Sequence, residues 1–231
     1  CRNRKALDDV IVAHPLDAVP DRSLARPHPL GDLRVGGPGI ASEDMQDLAV
    51  LTQYGVGGFV DPTLMACWGF DVGEGETADD GTLVGGATWR PSDGVVGGAI
   101  ELDGIDGYIA ATSRINPSSG PLSIFAWVKG GGPGQVVLSQ DGGENWLMAD
   151  AAGMLKTNLR SSHRFKKPLS SQVAIADGQW HRIGLVWDGV SRTLYVDDEP
   201  VAEDMEPDLQ NCSGVMNIGA GSDLRAGTFW S

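Results

Sequence analysis

The sequence predicts an all-β protein, a two-sheet antiparallel sandwich with a short helical or irregular amino-terminal extension. Three observations predict it. Trp180–Trp187 alternates strictly, with His181, Ile183, Leu185 and Trp187 on one face and Trp180, Arg182, Gly184 and Val186 on the other, the period of two that marks a strand. Leu122–Lys129 alternates in the same way, with apolar bulk on both faces, as in a central strand covered on two sides. The chain also carries 33 Gly and 13 Pro among 231 residues, with few runs of helical period, which suits many short strands joined by turns.

Taken in order, residues 1–30 are rich in Pro, Arg and Asp and read as a tail or the end of a preceding domain. Residues 31–62 follow as a helical segment and linker. Within it Met45, Leu48, Ala49 and Leu51 sit near helical spacing, Ser42 is suited to cap the helix, and Glu43 and Asp44 suit its first turn. The sandwich then runs over residues 66–231. Its strands are expected at Met65–Phe70, Ala99–Leu102, Tyr108–Ala111, Leu122–Lys129, Gln135–Gln140, Trp146–Ala149, Met154–Leu159 and Val215–Ile218. A hairpin joins Trp180–Trp187 to Arg192–Val196 through Asp188-Gly189, where Gly accepts positive φ without steric cost, and a further turn follows at Asp197-Asp198.

These segments resemble a known family in order. Cys67-Trp68-Gly69-Phe70-Asp71 with Gly73-Glu74-Gly75, then Gly81–Gly86, Gly97–Ile109, Leu122–Lys129, the stretch Asp177–Val201 and Asn217–Ala220 are similar to the successive strands of laminin G-like, concanavalin A-like jelly rolls of bacterial surface or secreted proteins. The resemblance implies a jelly-roll sandwich acting as a non-catalytic binding module of a larger exported protein, recognising glycan or surface protein, in some cases with calcium. It also implies a further strand after Gly227-Thr228-Phe229-Trp230-Ser231, of pattern apolar-Asp-Asp-apolar, so that the sandwich is expected to lack its final strand and to leave an edge open. Asp32 to Tyr54 resembles a degenerate dockerin repeat, in which Arg34 and Gly36 stand where calcium needs oxygen ligands and Pro38-Gly39 breaks the spacing.

Several residues are candidates for chemistry. Glu101-Leu102-Asp103-Gly104-Ile105-Asp106 is similar to the acidic strand of laminarinase-type glycosidases, whose retaining mechanism needs two carboxyls about 5–5.5 Å apart. Here Asp103-Gly104 reads as a turn that aims Asp106 away from Glu101, so no catalytic residue is assigned. Asp103 and Asp106 are the first calcium candidates, with Asp141, Asn145 and Asp223 as a pentraxin-like alternative, each set against ordinary turn hydrogen bonding. Of the seven Trp, Trp68, Trp127 and Trp187 are expected in the core, while Trp89 and Trp146 lie near loops and are candidate sugar-stacking residues. His181 alternates with apolar strand residues and reads as a hydrogen-bonded sheet histidine.

Composition sets outer limits. The formal charge of −14 argues against nucleic acid, whose phosphates call for a basic surface. Cys1, Cys67 and Cys212 have neither zinc spacing nor a pairing that the sequence assigns. No apolar run is long enough for a transmembrane helix. Any signal peptide lies outside this sequence, and the expected setting is extracellular or cell-surface, as a monomeric module within a multidomain chain.

Overall fold

The computed structural model describes residues 6–13, 64–70, 73–74, 77–78, 81–111, 115–161 and 167–231. In chain order their strands are β1 (Ala6–Ala13), β2 (Leu64–Trp68), β3 (Gly73–Glu74), β4 (Thr77–Ala78), β5 (Gly81–Val84), β6 (Thr88–Arg90), β7 (Ala99–Glu101), β8 (Tyr108–Ala111), β9 (Leu122–Lys129), β10 (Val136–Gln140), β11 (Asn145–Ala149), β12 (Met154–Thr157), β13 (Leu169–Ala174), β14 (Trp180–Trp187), β15 (Ser191–Val196), β16 (Glu199–Met205) and β17 (Met216–Ile218). They form two antiparallel sheets. One runs β16-β15-β14-β9-β1-β7-β6, with β2 also paired to β1, and the other runs β13-β12-β11-β10-β17-β8-β5-β4-β3. The helical content among the described residues is a single 3₁₀ turn, Pro117–Ser119, capped by Asn116 Oδ1 on the Ser118 amide.

The expected alternation decides which side chains meet. Ile124, Ala126 and Val128 of β9 and Ile183, Leu185 and Trp187 of β14 point into one apolar cluster. Leu138, Trp146, Leu155 and Ile218 enter it from the opposite sheet. Each such side chain, fully buried, is worth roughly 1.5–3 kcal/mol of transfer free energy, and the two inner faces together make one sandwich core.

The predicted hairpin is present, with Ile183 opposite Val196 and Trp187 opposite Arg192. Its turn is held by Asp188 Oδ1, which accepts from the Val190 and Ser191 amides, both at 2.7 Å. The next turn places both Asp197 (φ 51°) and Asp198 (φ 68°) in the left-handed region. A two-residue hairpin of this hand matches the strand twist, and Asp tolerates it better than most residues.

The sheets differ on their outer sides. In β9 buried residues alternate with half-buried ones, whereas β10 and β17 are buried throughout. The cover over the second sheet is the segment 219–230. Ser139 Oγ donates to Ala220 O (2.7 Å), the Val136 amide to Thr228 O (2.9 Å), and Tyr108 packs on Phe229 at 6.2 Å between ring centres.

Two expectations are corrected. Ala6–Ala13, assigned to a tail, is strand β1, which pairs with β9 from Ala6↔Lys129 to Ala13↔Ser123 and occupies an interior position of its sheet. Val10, Ile11 and Val12 supply β propensity that the surrounding Pro, Arg and Asp mask in the composition. Trp127 is only half-buried, because it lies on the outward face of β9 while Ile124, Ala126 and Val128 take the core. Trp68 and Trp187 are buried as expected. The dockerin-like segment and the Ser42 helix lie outside the described residues.

Candidate functional site

The rim turn after β7 is organised by Asp103. Its Oδ1 accepts from the amides of Ile105 (2.9 Å), Asp106 (3.1 Å) and Gly107 (2.9 Å). Gly104, at φ 72°, turns the chain directly after it. Burial pushes the Asp103 carboxyl up, but these backbone amides and the Asp106 side chain outweigh it and hold the group below its ordinary value. Asp106 Oδ1 in turn accepts from the Gly86 amide (3.0 Å). A side chain at Gly86 would collide with the Asp103 carboxylate, so the Gly85-Gly86 turn and the 103–107 turn are locked together.

This geometry favours turn chemistry for Asp103. One of its oxygens already serves three donors, and calcium takes six to eight oxygen ligands. Asp103 and Asp106 by themselves do not fill such a shell.

The alternative set is partly brought together. Asn145 Oδ1 accepts from the Ser222 amide (2.9 Å) and the Gly142 amide donates to Ser222 O (3.1 Å), so the loops carrying Asp141, Asn145 and Asp223 do meet. Asp223, however, faces Arg225, whose Nε lies 3.8 Å from Oδ2. Among the described residues no group of three or more His, Cys, Asp or Glu is placed to hold a metal. In the same loop burial pushes the Glu144 carboxyl up, against the opposing charge of Arg160.

Glu101 and Asp106 are not a strand pair. β7 ends at Glu101, and Asp106 belongs to the turn beyond Gly104. Glu101 Oε2 accepts from Arg90 Nε at 2.6 Å, with the second guanidinium nitrogen at 2.5 Å.

Of the two Trp singled out for sugar stacking, Trp146 is a correction. It is 0 % exposed and part of the core cluster, because β11 is covered on both sides. Trp89 is half-buried, packed against the core, and its indole N–H donates to Phe70 O (2.6 Å).

The outward face of the first sheet instead gathers aromatic residues that sequence reasoning passed over. Register sets Arg182 opposite Trp127, and Gly184 between Phe125 and Tyr195. All but Gly184 are half-buried. Gly184 is required here, since a Cβ would run into the Phe125 ring. The Arg182 guanidinium lies over that ring, 4.5 Å from its centre, and is anchored by Asp198. Phe125 and Tyr195 pack tilted at 6.1 Å. Burial pushes the Tyr195 hydroxyl up, helped by the charge of Glu203.

At the start of β14 His181, which alternates away from Arg182, bridges two turns, with Nδ1 2.8 Å from Asp197 Oδ2 and Nε2 3.1 Å from Asp177 Oδ1. Burial would lower its pKa, but the two carboxylates outweigh burial and raise it. The signal for the aromatic face was present in the alternation of Ser123, Phe125, Trp127 and Lys129. Which of the two apolar faces of β9 turned outward was not.

No curated protein matches this chain. The family model described as the concanavalin A-like lectin/glucanases superfamily matches residues 103–231, more than half of the sequence. With two antiparallel sheets closing on one core, the chain belongs to that superfamily, in its laminin G-like branch.

Proposed function

We propose that this chain is a non-catalytic recognition module of a larger exported protein, which binds glycan or a surface protein through the outward face of its first sheet. The observation that carries the reading is the row of Phe125, Trp127 and Tyr195 with Arg182 laid over it. Aromatic faces offer stacking area for sugar C–H surfaces, and a guanidinium offers a planar hydrogen-bonding fork. A superfamily containing lectins is consistent with this. Among the described residues no helix is long and apolar enough to cross a membrane. Rim calcium would assist only through Asp106 and the second oxygen of Asp103, and the reading does not require it.

The competing reading is a glycosidase of the same architecture, since the superfamily also contains glucanases. Arg90 on Glu101, and the position of Asp106 beyond the turn, speak against a nucleophile–acid pair at this site. Two experiments test the proposal. Glycan-array or calorimetric binding should fall roughly two- to tenfold in Trp127→Ala, in line with the roughly 0.5–1.5 kcal/mol expected of an aromatic contact, with the melting temperature of the parent retained. Unchanged binding would move the site elsewhere. Hydrolysis of a β-glucan panel, abolished by Glu101→Gln, would replace the non-catalytic reading with the enzyme.

A further inference from the structure

Strand β1 does not belong to the sheet by local connection. Fifty residues, 14–63, separate it from β2, and that stretch contains six Pro and seven Gly. Yet β1 lies inside the sheet, with β9 on one side and both β2 and β7 on the other. Its register with β9 runs over seven partner pairs, from Ala6↔Lys129 to Ala13↔Ser123, with a bulge at Asp9. Its register with β2 runs from Val10↔Trp68 to Ala13↔Leu64, and β2 has no other strand partner among the described residues. Without β1, β9 would present a bare edge in the middle of the sheet, and β2, which carries the core residue Trp68, would lose its place.

We propose that this position is a strand-acceptor slot and that Ala6–Ala13 is exchangeable, so that copies of this chain associate by donating β1 into one another's sheet. The partner is a second copy because the slot is shaped, in register, by the residues that pair with this strand. An exchange keeps every backbone hydrogen bond and every partner pair of β1 and changes only which copy supplies it, which is why swapping is a low-cost route to dimers. What opposes exchange is the tether. Closure of β1 onto its own sheet across a connection of fifty residues competes at an effective concentration of about a millimolar or below. Exchange between copies therefore competes with self-closure once the protein itself approaches that concentration during folding.

The experiment uses the full chain with Cys1, Cys67 and Cys212 replaced by Ser. Ala13 and Ser123 are register partners across β1 and β9, and facing residues of an antiparallel pair lie about 4.5–5.5 Å apart at Cα, within disulfide range. Ala13→Cys and Ser123→Cys placed in one chain should form an intrachain disulfide on dilute folding; failure to form it would overturn the register on which the proposal stands. Ala13→Cys in one copy and Ser123→Cys in another, unfolded together and refolded at about 1 mM, should give a disulfide-linked dimer. The same mixture refolded about a hundredfold more dilute should give at least tenfold less of it. Only unlinked monomers at the higher concentration, or dimers by size that carry no such disulfide, would refute exchange through this slot.

Discussion

Arg192→Met probes a fully buried guanidinium. The Arg192 side chain is 0 % exposed and meets Asp204 through both Nε (2.9 Å) and a terminal nitrogen (2.5 Å). It also donates to Leu159 O and to Lys167 O (3.2 Å), and it lies 3.9 Å from Glu206, which is itself 0 % exposed. Asp204 is 37 % exposed and rehydrates when its partner is lost, so its share of the loss is small. The larger effect is the buried carboxylate of Glu206 left without the neighbouring cation, together with two carbonyls that lose a donor. Breaking a buried pair from one side costs about 3–5 kcal/mol, and a domain of this size loses roughly 2–4 °C of Tm per kcal/mol. We therefore expect Tm to fall by about 10 °C and the urea midpoint to fall in parallel. Arg192→Lys, which keeps the charge and loses the planar fork, should fall between the parent and Met. Adding Glu206→Gln to Arg192→Met should recover part of the loss, since it removes the carboxylate whose neighbouring guanidinium has gone. A Tm for Arg192→Met within about 2 °C of the parent would refute the reasoning.

Three further outcomes follow from the sites described. His181 has its pKa raised in the folded state, so its contribution is complete below about pH 6 and fades as pH rises through the folded value. Urea midpoints measured from about pH 5.5 to 8.5 should decline across that window in the parent and less steeply in His181→Gln. Asp103→Ala strips an acceptor from three amides and should lower stability by about 1–3 kcal/mol. Millimolar calcium should leave the Tm of parent and variant alike, and a calcium-dependent rise confined to the parent would make Asp103 a metal ligand. Gly184→Ala should destabilise by roughly 1–3 kcal/mol through the Phe125 clash and weaken glycan or protein binding with it, whereas binding at parental affinity would detach the aromatic row from recognition.

The hairpin of β14 and β15 was legible because its signals are local: a strict alternation, a Gly-bearing turn and a β-branched return. The same locality let Asp103-Gly104 be read as a turn. What could not be read depends on partners distant in sequence. Both faces of β9 are apolar, and only the opposing sheet decides that Ile124 goes inward and Trp127 outward. Trp146 stands beside a loop in sequence, yet the sheets bury it completely, and Ser222 arrives from far along the chain to close over the neighbouring Asn145. β1 has strand-forming residues, but its partners lie beyond Thr63, and non-local pairing leaves little trace in an eight-residue window. Thr88–Arg90, at three residues, is too short to show a period.

The segment 219–230 narrows what the second sheet can offer to a partner, because it lies over β10 and β17. Ser139 and Asn217, on that outer side, are 0 % and 3 % exposed, so the middle of that sheet's outer face is closed by the chain itself, while Thr82, Ser170 and Gln172 on its flanking strands stay exposed. If the outward face of the first sheet binds as proposed, a shallow face gives modest affinity for each contact, and strong attachment to a repetitive surface would come from several copies engaging at once. Tethered sites multiply affinity about 10²- to 10⁴-fold when their spacing matches the target. Repetition of the module, rather than enlargement of that face, is the route by which such a chain would gain avidity.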